Sequence, residues 1–237
     1  MQYLICFDMD RVLVDYMSTW QFVYDKLGIS NKEAFDLYNQ GKLDEWDWLK
    51  MDLALIKRNH KDITDEILRD MCGDMPLMEG INECLEWIVS NNNEVAIISG
   101  GMQETAREIS MMYPTNTPWV RRWGGINRHR GSDTKFHVFT NGWLESNDGG
   151  IENYGRYQVQ MNGKGSIVKM LQRRLSIPKE RTISIGDSAG DINMFEESGL
   201  SICFNPWDEK PVSVADVTIR SKNLLDVLDA IKSYISQ

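Results

Sequence analysis

Tyr3-Leu4-Ile5-Cys6-Phe7-Asp8-Met9-Asp10 opens with an apolar run that stops on two acids. Such a run, with no polar residue alternating in it, reads as a strand buried on both faces. Two later segments repeat the pattern: Glu94-Val95-Ala96-Ile97-Ile98 runs into Ser99-Gly100-Gly101, and Thr182-Ile183-Ser184-Ile185 runs into Gly186-Asp187. Further strands are expected at Phe136 to Thr140, Leu200 to Phe204 and Val217 to Ile219. Helical patterns lie between them: Ile81 to Val89 (Ile81, Leu85 and Ile88 on one face), Gln103 to Met112, Lys164 to Arg174, one from Ala189 and a last from Leu224. Strands alternating with helices predict parallel βαβ units, hence an α/β fold with a doubly wound open sheet covered on both faces. Asn147-Asp148-Gly149-Gly150 is a turn signal, with Tyr154 to Val159 as the returning strand.

Between the first strand and Pro76 the texture is helical. Ser30-Asn31-Lys32-Glu33 is a capping-box pattern for a helix through Tyr38. Leu43 to Arg58 carries Trp46, Leu49, Leu53 and Ile56 at helical spacing, and Ile63 to Met71 is a third short helix. This block reads as a lid inserted into the α/β core, with residues 16–75 the lid and 1–15 with 76–237 the core. Trp20, Phe22, Tyr24, Trp46 and Trp48 read as lid core, one or two of them lining the pocket mouth. Pro114 to Thr134 lacks a period and reads as loop.

The chain has 237 residues, enough for one large domain or two small ones. At 42% hydrophobic and 26% charged it is not a disordered chain. Its net charge of −9 argues against nucleic acid as a partner and fits a carboxylate site around a cation. No apolar stretch approaches the ~20 residues of a membrane span, and the opening run is too short for a signal peptide. Cys6, Cys72, Cys84 and Cys203 form no C-x-x-C pair and read as buried or semi-buried thiols in a reducing cytoplasm. Monomer and homodimer stand equally open.

In open α/β sheets ligands bind beyond the carboxyl ends of the strands. There the sequence puts Asp8 and Asp10, Ser99, and Asp187, and a helix start adds Lys164. Acids two apart on an extended strand face one way, and two close carboxylates call for a shared cation or proton. With Asp187 they make a hard oxygen set suited to Mg²⁺. A polar strand end is the plainer alternative. Ser99-Gly100-Gly101, placed between strand and helix, offers N–H groups and a hydroxyl to an anion, or is a simple turn. Lys164, between Gly163 and Gly165, sits where a helix dipole disfavours a cation unless a phosphate offsets it; otherwise it is a solvated lysine. Gly186-Asp187-Ser188-Ala189-Gly190 fits G-x-S-x-G, but a hydrolase elbow needs a histidine downstream. His60, His129 and His137 all lie upstream, so Asp187 and Asp191 are favoured as metal groups instead. Gly163-Lys164-Gly165-Ser166 lacks the first glycine of a P-loop.

These pieces, in this order, resemble the haloacid dehalogenase superfamily, in its phosphoserine phosphatase-like branch. Phe7-Asp8-Met9-Asp10 with Val12 is similar to the family's first motif, Ile97-Ile98-Ser99-Gly100-Gly101 to its second, Lys164 to its third, and Gly186-Asp187 with Asp191 to its fourth. The resemblance implies a Rossmann-like core with a helical cap and a Mg²⁺-dependent phosphomonoesterase acting on a small phosphorylated metabolite. It implies that Asp8 attacks phosphorus to form an aspartyl-phosphate and that Asp10 acts as acid and then base. Ser99, the Gly100 backbone and Lys164 would hold phosphate. Asp8, the Asp10 carbonyl and Asp187 would hold Mg²⁺, with Asp191 a ligand or a support.

The sequence departs from the family at three places. Arg11 stands where the family usually has Gly or Ser; it either reaches the substrate or points to solvent. Gly190 stands where many relatives have Asn. Met17 and Asp52 stand near the expected places of the Glu and Arg that grip phosphoserine, which argues against phosphoserine itself. A phosphotransferase or mutase using the same intermediate, and a phosphate-ligand binding module without turnover, are the alternatives. The basic run from Trp119 to Lys135, with Trp123, Arg121, Arg122, Arg128 and Arg130, reads as a solvated loop or as a contact for an anion or a second subunit.

Overall fold

The computed structural model describes residues 1–112 and 135–237. The basic run up to residue 134, and the loop expected from Pro114, lie outside the described residues. The chain starts with β1 (Leu4–Phe7) and four helices, α1 (Thr19–Leu27), α2 (Lys32–Asn39), α3 (Glu45–Asn59) and α4 (Asp65–Gly73). Then follow α5 (Ile81–Ser90), β2 (Glu94–Met102), α6 (Gln103–Met111), β3 (Phe136–Glu145), β4 (Ile151–Arg156) and α7 (Lys164–Leu175). The last third holds β5 (Thr182–Gly186), α8 (Ile192–Phe195), β6 (Leu200–Phe204), α9 (Glu209–Val212), β7 (Val217–Ile219) and α10 (Leu224–Ile235). The sheet order is β4-β3-β2-β1-β5-β6-β7, parallel throughout except that β4 returns antiparallel on β3.

The alternation of side chains along a strand divides β1 between two cores. Ile5 and Phe7 join Val95, Ile97, Ile183 and Ile185 on one face, beneath Ile81, Leu85 and Ile88 of α5 and Val227 and Ile231 of α10. Leu4 and Cys6 join Ala96 and Ile98 on the other, beneath Ile167, Val168 and Leu171 of α7. A fully buried residue of this kind contributes about 1.5–3 kcal/mol. With both faces covered, the free ends of the strands are the place left for chemistry. All four cysteines are buried and unpaired.

The helices α1 to α4 build a third cluster from Val23, Tyr24, Leu49, Leu53, Ile56 and Leu68. It closes on Met102, Trp143 and Ile151, so the inserted helices sit over the far ends of β2, β3 and β4. Of the aromatics expected in the lid core, Tyr24 is buried there, Phe22 packs into the sheet's own core, and Trp46 is exposed.

Three local expectations need correction. Ser99-Gly100-Gly101 is part of β2 rather than a turn: the strand runs on to Met102, with a register shift against β3 between Ser99 and Met102. A bulge of this kind re-aims a strand without ending it. At Ser30 no capping box forms; Asn31 caps α2 without a side-chain bond, and the Ser30 hydroxyl accepts only a long 3.4 Å bond from the Lys32 N–H. The returning strand occupies Ile151–Arg156, earlier than Tyr154 to Val159. Its tail is captured instead by the Asn141 side chain, whose Oδ1 accepts from the N–H groups of Gln158 (2.8 Å) and Val159 (2.9 Å).

Candidate active site

β1 delivers Asp8 while still in the sheet, since its N–H donates to the Ile185 carbonyl at 2.9 Å. The chain then turns: the Met9 carbonyl accepts from the N–H groups of Val12, Leu13 and Val14. That turn sets Asp10 beside α1, where its Oδ1 accepts from the Thr19 N–H at 2.9 Å. The Thr19 hydroxyl accepts from the Met102 N–H at 2.8 Å and so ties this turn to the end of β2. Gly101 is required there, because a Cβ would lie 2.5 Å from the Met9 side chain and 2.6 Å from the Thr19 hydroxyl. Ser99 is buried next to it, and its hydroxyl accepts from the Gly101 N–H at 3.2 Å. The indole N–H of Trp20 donates to the Gly100 carbonyl at 3.1 Å, linking α1 to the same strand end.

From the other side of β1, β5 delivers Asp187. Gly186 precedes it because a Cβ there would meet Asp191 Cγ at 2.3 Å. Asp191 folds back on its own turn, its Oδ2 accepting from the N–H groups of Asp187 (3.0 Å) and Ser188 (3.1 Å). The Ser188 hydroxyl is spent on the same carboxylate at 3.3 Å, which leaves the rejected elbow serine a turn residue. Lys164 opens α7 as the sequence placed it, but it is buried rather than solvated. Its Nζ lies 2.9 Å from Asp8 Oδ1 and 2.6 Å from Asp191 Oδ1. Asp8, Asp187 and Asp191 each present a carboxylate oxygen within 4.8 Å of the others, and all three are buried.

Burial is the largest force on the carboxyls of Asp8, Asp10 and Asp187. It pushes Asp8 up, with the Asp191 charge adding to it and Lys164 and the Met9 N–H pulling back. It pushes Asp10 up to about 7, reinforced by Asp8. It pushes Asp187 up to about 8, reinforced by Asp8 and Asp191 and opposed by Lys164 and Arg11. Burial also works against the Lys164 ammonium, but Asp191 and Asp8 outweigh it and hold Lys164 charged, above its usual range. Like charges this close need a cation among them. A set of hard oxygens, buried and short of positive charge, fits a small divalent ion.

Arg11 does not point into open solvent. Its Nε donates to Asp187 Oδ2 at 2.8 Å, its NH2 group donates to the Asn205 carbonyl at 3.0 Å, and its guanidinium lies 5.0 Å from the centre of the Trp207 ring. Sequence reasoning missed Thr19, Asn205 and Trp207, and named Trp20 only among the aromatics of the lid core or pocket mouth. The rule that found Asp8 and Asp187 also reaches Asn205, which directly follows β6. Thr19 carried no spacing signal; only the packing of α1 against β2 brings it in, and the same packing sets the Trp20 indole on Gly100.

A family model described as haloacid dehalogenase-like hydrolase matches residues 158–231, the stretch that holds Lys164, Asp187 and Asp191. That match and the relatives that follow make the chain similar to the haloacid dehalogenase superfamily, in its phosphoserine phosphatase-like branch. It is 25% identical to a phosphoserine phosphatase of Wolinella succinogenes, over 95% of this chain and 98% of that one. It is 27% identical to a phosphoserine phosphatase of Methanocaldococcus jannaschii, over 97% of each. Its fold matches that of a substrate-bound phosphoserine phosphatase complex with a TM-score of 0.74, at 23% identity over 97% of this chain and 98% of that one. Members of the superfamily that act as phosphatases generally use a divalent metal, and the three-carboxylate cluster is consistent with that use. Among the described residues no helix is long and apolar enough to cross a membrane.

Proposed function

We propose that this haloacid dehalogenase-family phosphatase hydrolyses a small phosphorylated metabolite through an aspartyl-phosphate on Asp8, with Mg²⁺ as its ion. The observation that carries the reading is the placement of Lys164 between Asp8 and Asp191, with Asp187 alongside. Asp8 is the nucleophile. Lys164 opposes the effect of burial on its carboxylate and neutralises a phosphoryl oxygen as the two anions approach. Asp10, raised to about 7, holds a proton for the leaving oxygen and then accepts one from the attacking water. Thr19 fixes its orientation through the 2.9 Å bond. The Ser99 hydroxyl and the backbone at Gly100 bind phosphate oxygens at the bulged end of β2.

Asp8, Asp187 and the Asp10 carbonyl would hold the ion. Asp191, bonded to Lys164 on one oxygen and to backbone on the other, supports them. When bound, Mg²⁺ supplies charge neutralisation for the transferring phosphoryl group. Residues 16–75 act as a cap that excludes bulk water over the site, a role supported by the Trp20 bond to Gly100 and by the packing of α1 and α3 onto Met102 and Trp143. The protein works in the cytoplasm, in keeping with its unpaired buried cysteines.

The substrate is proposed to differ from the phosphoserine of the relatives' names. Met17, near the family's Glu, is an exposed apolar side chain, and Asp52, near the family's Arg, is buried in the inserted helices. The test is phosphate release from a panel of small phosphomonoesters, phosphoserine included, with Mg²⁺ and then with a chelator. Mg²⁺-dependent release from some members, with phosphoserine poor, is expected. Release unaffected by chelation overturns the metal assignment, and phosphoserine as the best substrate overturns the substrate reading. Phosphate passing to an added alcohol faster than to water would make the enzyme a transferase.

A further inference from the structure

Arg11 is the one cation besides Lys164 that the described structure sets directly on a carboxylate of the three-acid cluster. It takes Asp187 Oδ2, an oxygen of the acid that β5 delivers to the site. Its backbone is left-handed, with φ of 61°, a conformation that costs a side-chain-bearing residue free energy and persists only where its surroundings hold it. The surroundings here are specific. The Asn205 carbonyl and the Trp207 ring hold the guanidinium, the Asn205 amide donates back to the Arg11 carbonyl at 3.3 Å, and the Trp207 N–H donates to the Asp187 carbonyl at 2.8 Å. Arg11, Asn205, Trp207 and Asp187 therefore form one closed unit. On its outer side Arg11 lines a cleft of about 480 Å³ beside Tyr16, Met17 and Lys222.

We propose that Arg11 is a tethered counter-cation of the metal site: it competes with the divalent ion for Asp187, sets a weakened ion affinity, and is displaced toward the cleft when the ion binds. The argument is electrostatic. Arg11 already holds Asp187 Oδ2, so an ion drawing on that carboxylate meets a cation beside it, and two cations side by side repel. The ion meets that repulsion when it recruits Asp187, and the cost comes off its binding. Asn205 and Trp207 hold the other faces of the guanidinium, so displacement is a swing about the tether. A guanidinium so released enters the cleft it already lines, and ion binding is thereby coupled to that cleft. Arg11 is a positioning residue in this scheme, acting through Asp187.

This inference rests on the metal reading given under Proposed function, and the experiment separates the two. Mg²⁺ and Mn²⁺ are titrated calorimetrically into the whole protein and into R11Q, R11G and R11K, with melting temperatures as the check of folding. R11G suits the left-handed backbone, so at least one uncharged variant is expected to fold. R11Q and R11G should bind either ion about tenfold more tightly than wild type, the effect of removing one competing ion pair, and R11K should stay near wild type. Ion affinity unchanged or weakened in both uncharged variants overturns the role of Arg11 and leaves the metal reading standing. No binding of either ion by wild type or by any variant overturns the metal reading, and the inference with it. A merely structural role for Arg11 would lower the melting temperature without tightening the ion.

Discussion

The protein buries carboxylates in two places and treats them in opposite ways. At the strand ends Asp8, Asp187 and Asp191 sit together, and each has a cation on it: Lys164 on Asp8 and Asp191, Arg11 on Asp187. In the inserted helices Asp52 is just as buried and has no cation among the groups acting on it; Tyr24, Asn31 and Trp48 are its polar neighbours. Burial pushes Asp52 up to about 7, and those neighbours pull back only in part. Asp52 Oδ1, the Tyr24 hydroxyl and Trp48 Nε1 all lie buried without a formed hydrogen bond. The lesson is that burial alone does not make a carboxylate a reagent. What distinguishes the strand-end group is the cation set against each acid, which opposes the neutralising effect of burial.

The largest expected effect comes from removing the reagent itself. Asp8→Asn keeps the shape of the side chain and removes its nucleophilicity, so turnover on the best panel substrate should fall at least about a thousandfold while the protein stays folded. Steady-state phosphate release and a thermal melt check both halves. Retained activity would remove Asp8 from the nucleophile's role and dissolve the contrast with Asp52.

Next in size is the cation. Lys164→Met leaves Asp8 and Asp191 buried and unpaired, which should cost about 3–5 kcal/mol of stability at neutral pH as well as activity. Denaturant unfolding measures the loss. Added Mg²⁺ should restore more stability to this variant than it adds to wild type, because the ion takes over part of the missing charge. A loss below about 1 kcal/mol would mean that the strand-end acids are no more dependent on their cation than a surface pair is.

Much of this was legible in the sequence because sheets of this class put their chemistry at strand ends. Buried strands read as continuous apolar runs, so the residues after Phe7, Ile98 and Ile185 identified themselves. Lys164 was found by its flanking glycines and helix start, though only the fold buries it. What stayed hidden depends on contacts between distant segments. The bulge that carries β2 through Gly100 and Gly101 is held by Thr19, far away in the chain, and no local pattern records it. Arg11 was visible as an oddity, but its seat on Asp187 and Asn205 exists only when β1, β5 and β6 lie side by side.

The smallest effect sharpens the other side of the comparison. A carboxyl whose native pKa is raised binds its proton more tightly in the folded chain than in the unfolded one. The native state therefore holds more protons between about pH 4 and 7, and stability falls as pH rises through that window. Asp52 should thus contribute fully below its unfolded pKa and lose that contribution as pH passes about 7. Asp52→Asn cannot ionise and keeps the amide oxygen near Tyr24 and Trp48. Relative to wild type it should gain about 1–2 kcal/mol at pH 8 compared with pH 5, read by urea unfolding at the two values. Activity should change little if Asp52 serves only the packing of the inserted helices. A variant that loses stability equally at both pH values would mean that Asp52 is held charged by a partner, and the two buried acid sites would then differ in position rather than in principle.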